Sequence, residues 1–326
     1  MWNSSVNEGE SSTHLLSGWR FKAMLATLTI AVLAYFLMTL WGGWKEVLYA
    51  CSKVGILGIL AALALSLVNY FFRFLRWTKY LHLLGHTLPF WQNLKIYMSG
   101  FALTTTPGKT GEALRSIFLK DYGIAYRQSF GVFLSERLSD LLAVLFISAF
   151  GLWIYPEARL LTVATALIIA FLLYAVQQDK WLLWTEEKLK KIKSGRLAGP
   201  AEFTIEALLS FRVAFRPKAL LVGTFLGVIA WAAEGLAFYF LLQLMGIEIS
   251  FLSAQFIYAF SLLIGAITLL PGGLGGVEVT MIQLLLLEGV SSADAAALTL
   301  LIRLTTLWFS VLLGLLALPQ KKVHIV

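Results

Sequence analysis

Two stretches of this sequence place ionisable residues where apolar helix would otherwise continue. The first is Pro107-Gly108-Lys109-Thr110-Gly111-Glu112, and the second is Pro271-Gly272-Gly273-Leu274-Gly275-Gly276-Val277-Glu278. Proline removes a backbone donor, and glycine weakens a helix by roughly 1 kcal/mol relative to alanine. A helix entering either stretch must stop there, and a new one can start beside the glutamate. Each glutamate is followed by an arginine inside an apolar run: Arg137 after Glu112, and Arg303 after Glu278. Lys109 and Arg115 add positive charge around the first break. Arginine suits a phosphate through two parallel hydrogen bonds. The competing reading is charge balance, Arg137 with Asp140 one turn away and Arg303 with Glu278 or Glu112. Both can hold in alternation, the glutamates keeping the arginines until an anion displaces them.

The glutamates have a plainer explanation as well. A carboxylate in a helix's first turn offsets the positive end of the dipole, whereas free N–H groups at that end would favour an anion. Glu234 stands alone in the middle of another apolar run, with no partner evident from spacing. It is either a buried acid kept neutral by desolvation or a proton-coupling group. An ionisable group at mid-membrane costs about 2.5–3.5 kcal/mol on insertion scales, which makes each of these residues a functional candidate. His82 and His86 are one helical turn apart, but no Asp, Glu or Cys neighbour completes a metal site, so no metal and no cofactor is expected. No nucleophile elbow or zinc signature is present, and no catalytic residue is assigned. Gly108-Lys109-Thr110 resembles the end of a phosphate-binding loop, without its upstream glycine and strand.

The elements that hold these residues follow from composition. The 326 residues are 59% apolar with a mean hydropathy of +0.80, and 13% are charged, against about 25% in soluble domains. The chain is a polytopic all-α membrane protein. Its net charge of +8 reflects basic residues gathered on one side of the membrane and not a nucleic-acid partner. A single cysteine, Cys51, excludes an intramolecular disulfide. Runs of about 20 apolar residues place six spans at 23–41, 54–72, 128–153, 159–176, 219–245 and 295–318. The second closes on Arg73, Arg76, Trp77 and Lys79, read as a basic and aromatic interfacial cluster. The third carries Glu136, Arg137 and Asp140.

The segments 88–122 and 251–287 are too interrupted to cross and read as re-entrant hairpins around the two breaks. Glu112, Gly123 and Arg137 recur 166 positions later as Glu278, Gly289 and Arg303, the register of an internal duplication. Three crossings separate the breaks, so the two hairpins enter from opposite faces as inverted repeats. Repeat one covers about 54–176 and repeat two about 219–318. They are joined by a polar elbow, 177–218, with nine Lys and Arg residues. Residues 1–18 read as a disordered tail and 319–326 as a short one, with both termini and the elbow cytoplasmic. Residues 19–318 form a single transmembrane domain.

Four motifs carry a family resemblance: Arg73-x-x-Arg76-Trp77, Pro107-Gly108-x-x-Gly111-Glu112-x-x-Arg115, Glu136-Arg137-x-x-Asp140 and Pro271-Gly272-Gly273-Leu274-Gly275-x-x-Glu278. Together they resemble the membrane region of the lysylphosphatidylglycerol synthases and the stand-alone flippase-like proteins related to it, over roughly residues 20–318. In the bifunctional synthases this region is similar to a lipid flippase, and a separate soluble domain transfers the aminoacyl group. That soluble domain has no counterpart after span six, which argues against synthase activity.

The resemblance implies a translocator of an anionic phospholipid or polyprenyl-phosphate-linked lipid in the cytoplasmic (inner) membrane. Its headgroup would pass through a midplane polar groove formed by Lys109, Glu112, Arg115, Arg137, Asp140, Glu278 and Arg303, with Glu234 as the coupling candidate. The partners are then the lipid headgroup, the surrounding membrane lipids and a lipid-synthesising enzyme. Two alternatives stay open: a membrane-embedded lipid-modifying transferase using Glu112 or Glu278 as base, and a non-transporting protein that presents lipid to a separate synthase.

Overall fold

The computed structural model describes residues 19–106, 114–178, 207, 209–212, 216–268 and 270–318. The expected tails, most of the elbow, Lys109 and Glu112 lie outside the described residues. The chain divides into two units, 1–45 and 46–326. In the first, the described backbone is helical from Trp19. The second holds both breaks and the ionisable residues around them.

Every regular element among the described residues is helical. Helix α1 is assigned over Trp19–Leu83, with Gly55 inside it at φ 69°. Helices α2 (Phe90–Ser99) and α3 (Arg115–Lys120) flank the first break, and a 3₁₀ turn at Gly100–Leu103 extends α2. Then come α4 (Tyr126–Gly151), α5 (Arg159–Gln177) and α6 (Pro217–Leu244). Helices α7 (Phe251–Ile267) and α8 (Gly276–Leu287) flank the second break, where Pro271–Gly273 forms a 3₁₀ turn. Helices α9 (Ser292–Arg303) and α10 (Phe309–Ala317) are joined through a π-helical turn at Leu304–Trp308.

Four stretches are long and apolar enough to cross a membrane: Gly43–Leu83, Pro156–Ala175, Lys218–Leu244 and Ser292–Ala317. The chain is a multi-pass membrane protein. Helix α4 has the length but carries Glu136, Arg137 and Asp140. Helices α7 and α8 are apolar but shorter.

The helix ends are written in the sequence. Pro217 opens α6 at a position where its missing N–H costs nothing. Ser250 and Ser291 cap α7 and α9 by accepting the N–H of Ser253 and Asp294 at 3.0 and 3.1 Å. Two C-terminal ends repeat each other 166 positions apart. Gly123 and Gly289 have φ of 76° and 80°. Ile124 N–H bonds Leu119 O at 3.2 Å, and Val290 N–H bonds Leu285 O at 3.0 Å. A side chain at either glycine would be forced into the left-handed region, so the residue type itself ends the helix. A second pair, Gly85 and Gly246, ends α1 and α6 the same way, 161 positions apart.

In lipid, helices associate by close packing and hydrogen bonding rather than by shedding water, so small residues mark the contacts. A Cβ at Gly151 would overlap the Phe256 ring, which seats α4 on α7, and one at Gly314 would overlap the Ala102 backbone. That second contact brings α10 against the turn at Gly100–Leu103. One apolar core gathers residues of α4, α6, α7, α8 and α9 around Phe238, Phe256 and Leu298. Another gathers Phe74, Trp77, Tyr97, Phe101 and Leu119.

Arg73, Arg76 and Trp77 belong inside this packing and not at an interface. Helix α1 runs on to Leu83, and these residues are 4%, 0% and 1% exposed. Apolar composition stops at residue 72, whereas the helix does not, and the basic residues turn inward to meet carboxylates.

Candidate functional site

A cavity of about 220 Å³ opens among these helices. Its polar wall comes from Tyr70 and Arg73 of α1, Arg137 and Asp140 of α4, Glu234 of α6, Tyr258 of α7, and Arg303 of α9. Its apolar wall includes Leu141, Val144, Leu262 and Leu307. Gly272 and Gly273 from the second break and Thr104 from just before the first also line it. A Cβ at Gly272 would lie 3.3 Å from Thr105 Cα, so the second break touches the approach to the first.

Asp140 is the hub of one side. Its Oδ1 accepts from Arg76 Nη2 at 2.5 Å and from Trp231 Nε1 at 3.0 Å. Its Oδ2 lies 3.0 Å from Arg137 Nη2 and 3.7 Å from Arg73 Nη2. The Arg73 guanidinium also faces the rings of Phe101 and Trp231 at 5.3 and 5.2 Å. Aromatic faces stabilise a buried cation by about 0.5–2 kcal/mol each, without fixing it as a salt bridge does.

Arg303 is the hub of the other side. Its Nε donates to Glu278 Oε1 at 2.8 Å and its Nη2 to the Gly272 carbonyl at 2.9 Å. Glu278 Oε2 in turn accepts the Gly275 N–H at 2.6 Å, closing a cap on α8. Glycines at φ 61°, 70° and 85° (Gly272, Gly273 and Gly275) let the chain double back tightly enough for this. The π-helical turn begins one residue after Arg303. It displaces carbonyls from the helical ladder, and side chains of α1 collect them: Tyr70 Oη donates to Thr306 O at 2.6 Å and Ser66 Oγ to Thr305 O at 2.8 Å. Such turns accommodate functional side chains in otherwise regular helices.

The two sides share a hydrogen-bond pattern. Tyr70 and Trp231 lie 161 positions apart, as do Arg73 and Glu234, while Asp140 and Thr306 lie 166 apart. Tyr70 donates to the backbone carbonyl of Thr306, and Trp231 to the side-chain carboxylate of Asp140. Asn69 Nδ2 donates to the carbonyl of Ala230, itself 161 positions away, at 2.9 Å.

Of the residues singled out from sequence, the cavity unites Arg137, Asp140, Arg303 and Glu234, and Glu278 reaches it through Arg303. Arg115 is placed elsewhere. It is 1% exposed, pairs with the fully buried Glu136 at 2.9 Å, and lies against Trp77 and Tyr97 at 4.4 and 5.0 Å. A Cβ at Gly100 would come within 2.9 Å of the Arg115 stem, so this glycine leaves the room it occupies. Arg115 therefore fastens α3 to α4. His86 Nε2 meets Gln128 Oε1 at 2.8 Å. Sequence reasoning put Arg73 and Arg76 at the membrane interface and passed over Tyr70, Trp231 and Tyr258. The signal for Arg73 was its register with Glu234.

The arrangement positions several guanidinium groups, each engaged by an internal carboxylate, around one space with a partly apolar wall. It can hold an anion by exchange of ion pairs.

Comparison with known proteins adds to this geometry. The sequence profile of the lysylphosphatidylglycerol synthase transmembrane region matches residues 19–314. Similar chains include a UPF0104 membrane protein of Pyrococcus horikoshii, 26% identical over 323 residues, covering 90% of this chain and 96% of that one. Two UPF0104 membrane proteins of Methanothermobacter thermautotrophicus are 26% and 25% identical, covering 90% and 87% of this chain and 94% and 90% of their own lengths.

Proposed function

The chain belongs to the family of the lysylphosphatidylglycerol synthase transmembrane region, and from that premise we propose that it translocates an anionic lipid across the cytoplasmic membrane. The headgroup occupies the cavity between Asp140 and Arg303 while the acyl or prenyl tails stay in lipid. The observation that carries this reading is the clustering of Arg73, Arg137 and Arg303 on one cavity with Leu141, Val144, Leu262 and Leu307 beside them. A phosphate accepts bidentate hydrogen bonds from guanidinium, and an apolar wall suits the first methylenes of a tail.

On this reading Asp140 and Glu278 are internal stand-ins for the substrate. They hold the arginines in geometry until a phosphate replaces them, so the arginines are never left as uncompensated buried charge. The exchange also provides release, because the carboxylates compete the headgroup off again.

The reading extends to the architecture: six spans with two re-entrant hairpins as inverted repeats, and both termini in the cytoplasm. The recurrent helix ends at Gly123 and Gly289, and the paired bonds of Tyr70 and Trp231, support it. Inverted repeats with broken helices suit alternating access around a fixed central site. The protein is expected to work without a cofactor and as a carrier rather than an enzyme. Reconstitution in vesicles with a labelled phosphatidylglycerol tests it. Transbilayer movement that depends on the protein and on Arg303 supports the proposal, and movement no faster than in protein-free vesicles overturns it.

A further inference from the structure

Glu234 takes a tyrosine hydroxyl among its partners. It is 3% exposed and lines the cavity wall. Asp140 holds Arg76 and Arg137 within 3.0 Å, and Glu278 holds Arg303 at 2.8 Å. Glu234 Oε2 accepts from the Tyr258 hydroxyl at 2.6 Å. A phenol donates to a carboxylate and accepts from a carboxylic acid, so this partner serves both protonation states without moving a heavy atom. Guanidinium has no acceptor and serves the ionised state alone.

The groups that face Glu234 come from every side. Tyr70 and Arg73 stand on α1, Arg137 and Asp140 on α4, Tyr258 on α7, and Arg303 on α9, with Glu278 of α8 behind Arg303. On its own helix Trp231 points its N–H at Asp140. The Tyr70 hydroxyl is within electrostatic range of both Glu234 and Arg73, and the Tyr258 hydroxyl of both Glu234 and Arg303. Arg73, Arg137 and Arg303 thus line the same cavity as Glu234. They are the same arginines that a phosphate would engage.

Like charges in one water-poor site resist being ionised together, and the weaker acid of such a pair keeps its proton. A phosphodiester is a far stronger acid than a carboxyl group. We infer that Glu234 takes up one proton from water as an anionic headgroup enters, and returns it when the headgroup leaves, so that headgroup and proton cross together. The O–H bond formed on Glu234 at loading breaks at unloading on the other face. This inference rests on the translocator reading of the same cavity. For a singly charged headgroup the transported pair is electrically neutral. A pH difference of one unit then supports about a ten-fold difference in lipid between leaflets, and membrane potential has no effect.

The test measures proton uptake on binding, using the purified full-length protein in zwitterionic nanodiscs. Dioctanoyl phosphatidylglycerol is the lipid probe and glycerophosphoglycerol the tailless one. Neither titrates near neutral pH, so any proton taken up belongs to the protein. Titration calorimetry in two buffers of different ionisation heat gives the proton count. The expected result is about one proton per lipid bound, with Kd rising about ten-fold per pH unit where free Glu234 is ionised. Glu234→Gln should remove the uptake and bind at all pH values with the affinity that wild type reaches at low pH. Wild-type binding with no uptake and a flat pH profile overturns the inference and leaves the translocator reading standing, as does uptake that persists in Glu234→Gln. Uptake with the tailless probe at equal affinity supports the proton step but contradicts the lipid as substrate. Absence of binding by both probes overturns both readings.

Discussion

Arg303 and Glu278 meet at 2.8 Å across the second break, and the same guanidinium holds the Gly272 carbonyl at 2.9 Å. One side chain therefore fixes both the turn and the carboxylate that restarts the helix. Anything that draws Arg303 away loosens the turn and frees Glu278 together. Glu278→Gln separates capping from charge, because glutamine can still accept the Gly275 N–H through its carbonyl oxygen. If Glu278 were a cap alone, the variant would lose at most about 0.3–1 kcal/mol of stability and keep wild-type transport. The exchange account expects tighter lipid binding and slower translocation, measured on the same purified samples. The double variant Glu278→Gln/Arg303→Gln should stay folded and lose headgroup affinity.

The arginines are expected to differ from lysine in effect. Arg303→Ala and Arg137→Ala should each abolish translocation, and Arg73→Ala should weaken lipid binding roughly ten-fold or more, the cost of one lost charged hydrogen bond. Arg303→Lys and Arg137→Lys should retain little, since lysine keeps the charge but not the planar fork. Normal transport by the lysine variants would assign these residues to charge balance.

Arg115 and Glu136 should behave oppositely. Their pair is buried away from the cavity, and removing one partner leaves the other charge uncompensated, at a cost of about 3–5 kcal/mol. Arg115→Met is expected to lower the thermal unfolding midpoint in detergent, and Arg115→Met/Glu136→Leu to recover most of it. Lipid affinity per folded molecule should stay unchanged in both. A selective loss of affinity in the double variant would return Arg115 to the binding site.

These residues also show where the sequence was readable. Apolar runs and glycine punctuation marked α4 to α8 to within a few residues, because hydropathy and left-handed turns are local properties, whereas the single run 295–318 carried no sign of the π-helical turn between α9 and α10. The second break was legible for the same reason, down to Glu278 restarting the helix, while the partner of Arg303 stayed open between Glu278 and Glu112 until the structure showed Glu278. Arg73 and Arg76 were misplaced because hydropathy records where apolar residues stop, and a helix can continue past that point when carboxylates wait inside. Arg115 was put in the site because spacing shows a cation near a break. It does not show that Trp77, Tyr97 and Glu136 arrive from three other helices to enclose it. The Glu234–Tyr258 bond joins α6 to α7 and leaves no periodic trace.

Topology has its own test. Single cysteines near each break, in a Cys51→Ser background, should react with membrane-impermeant thiol reagents from opposite faces. Gly273 is a poor reporter, because its φ of 70° strains any side chain, so Leu274 beside it is the better choice. Gly108 serves for the first break. Labelling of both positions from one face alone would contradict the inverted arrangement.

The most direct measurement is transbilayer movement in sealed vesicles that contain this protein and no other. A fluorescent phosphatidylglycerol is placed in both leaflets, and a quencher added outside reports how much becomes accessible with time. The account predicts that wild-type protein exposes nearly all of the probe, whereas Arg303→Ala, at matched reconstitution, exposes only the outer-leaflet half. Equal exposure by wild type, Arg303→Ala and protein-free vesicles would contradict it.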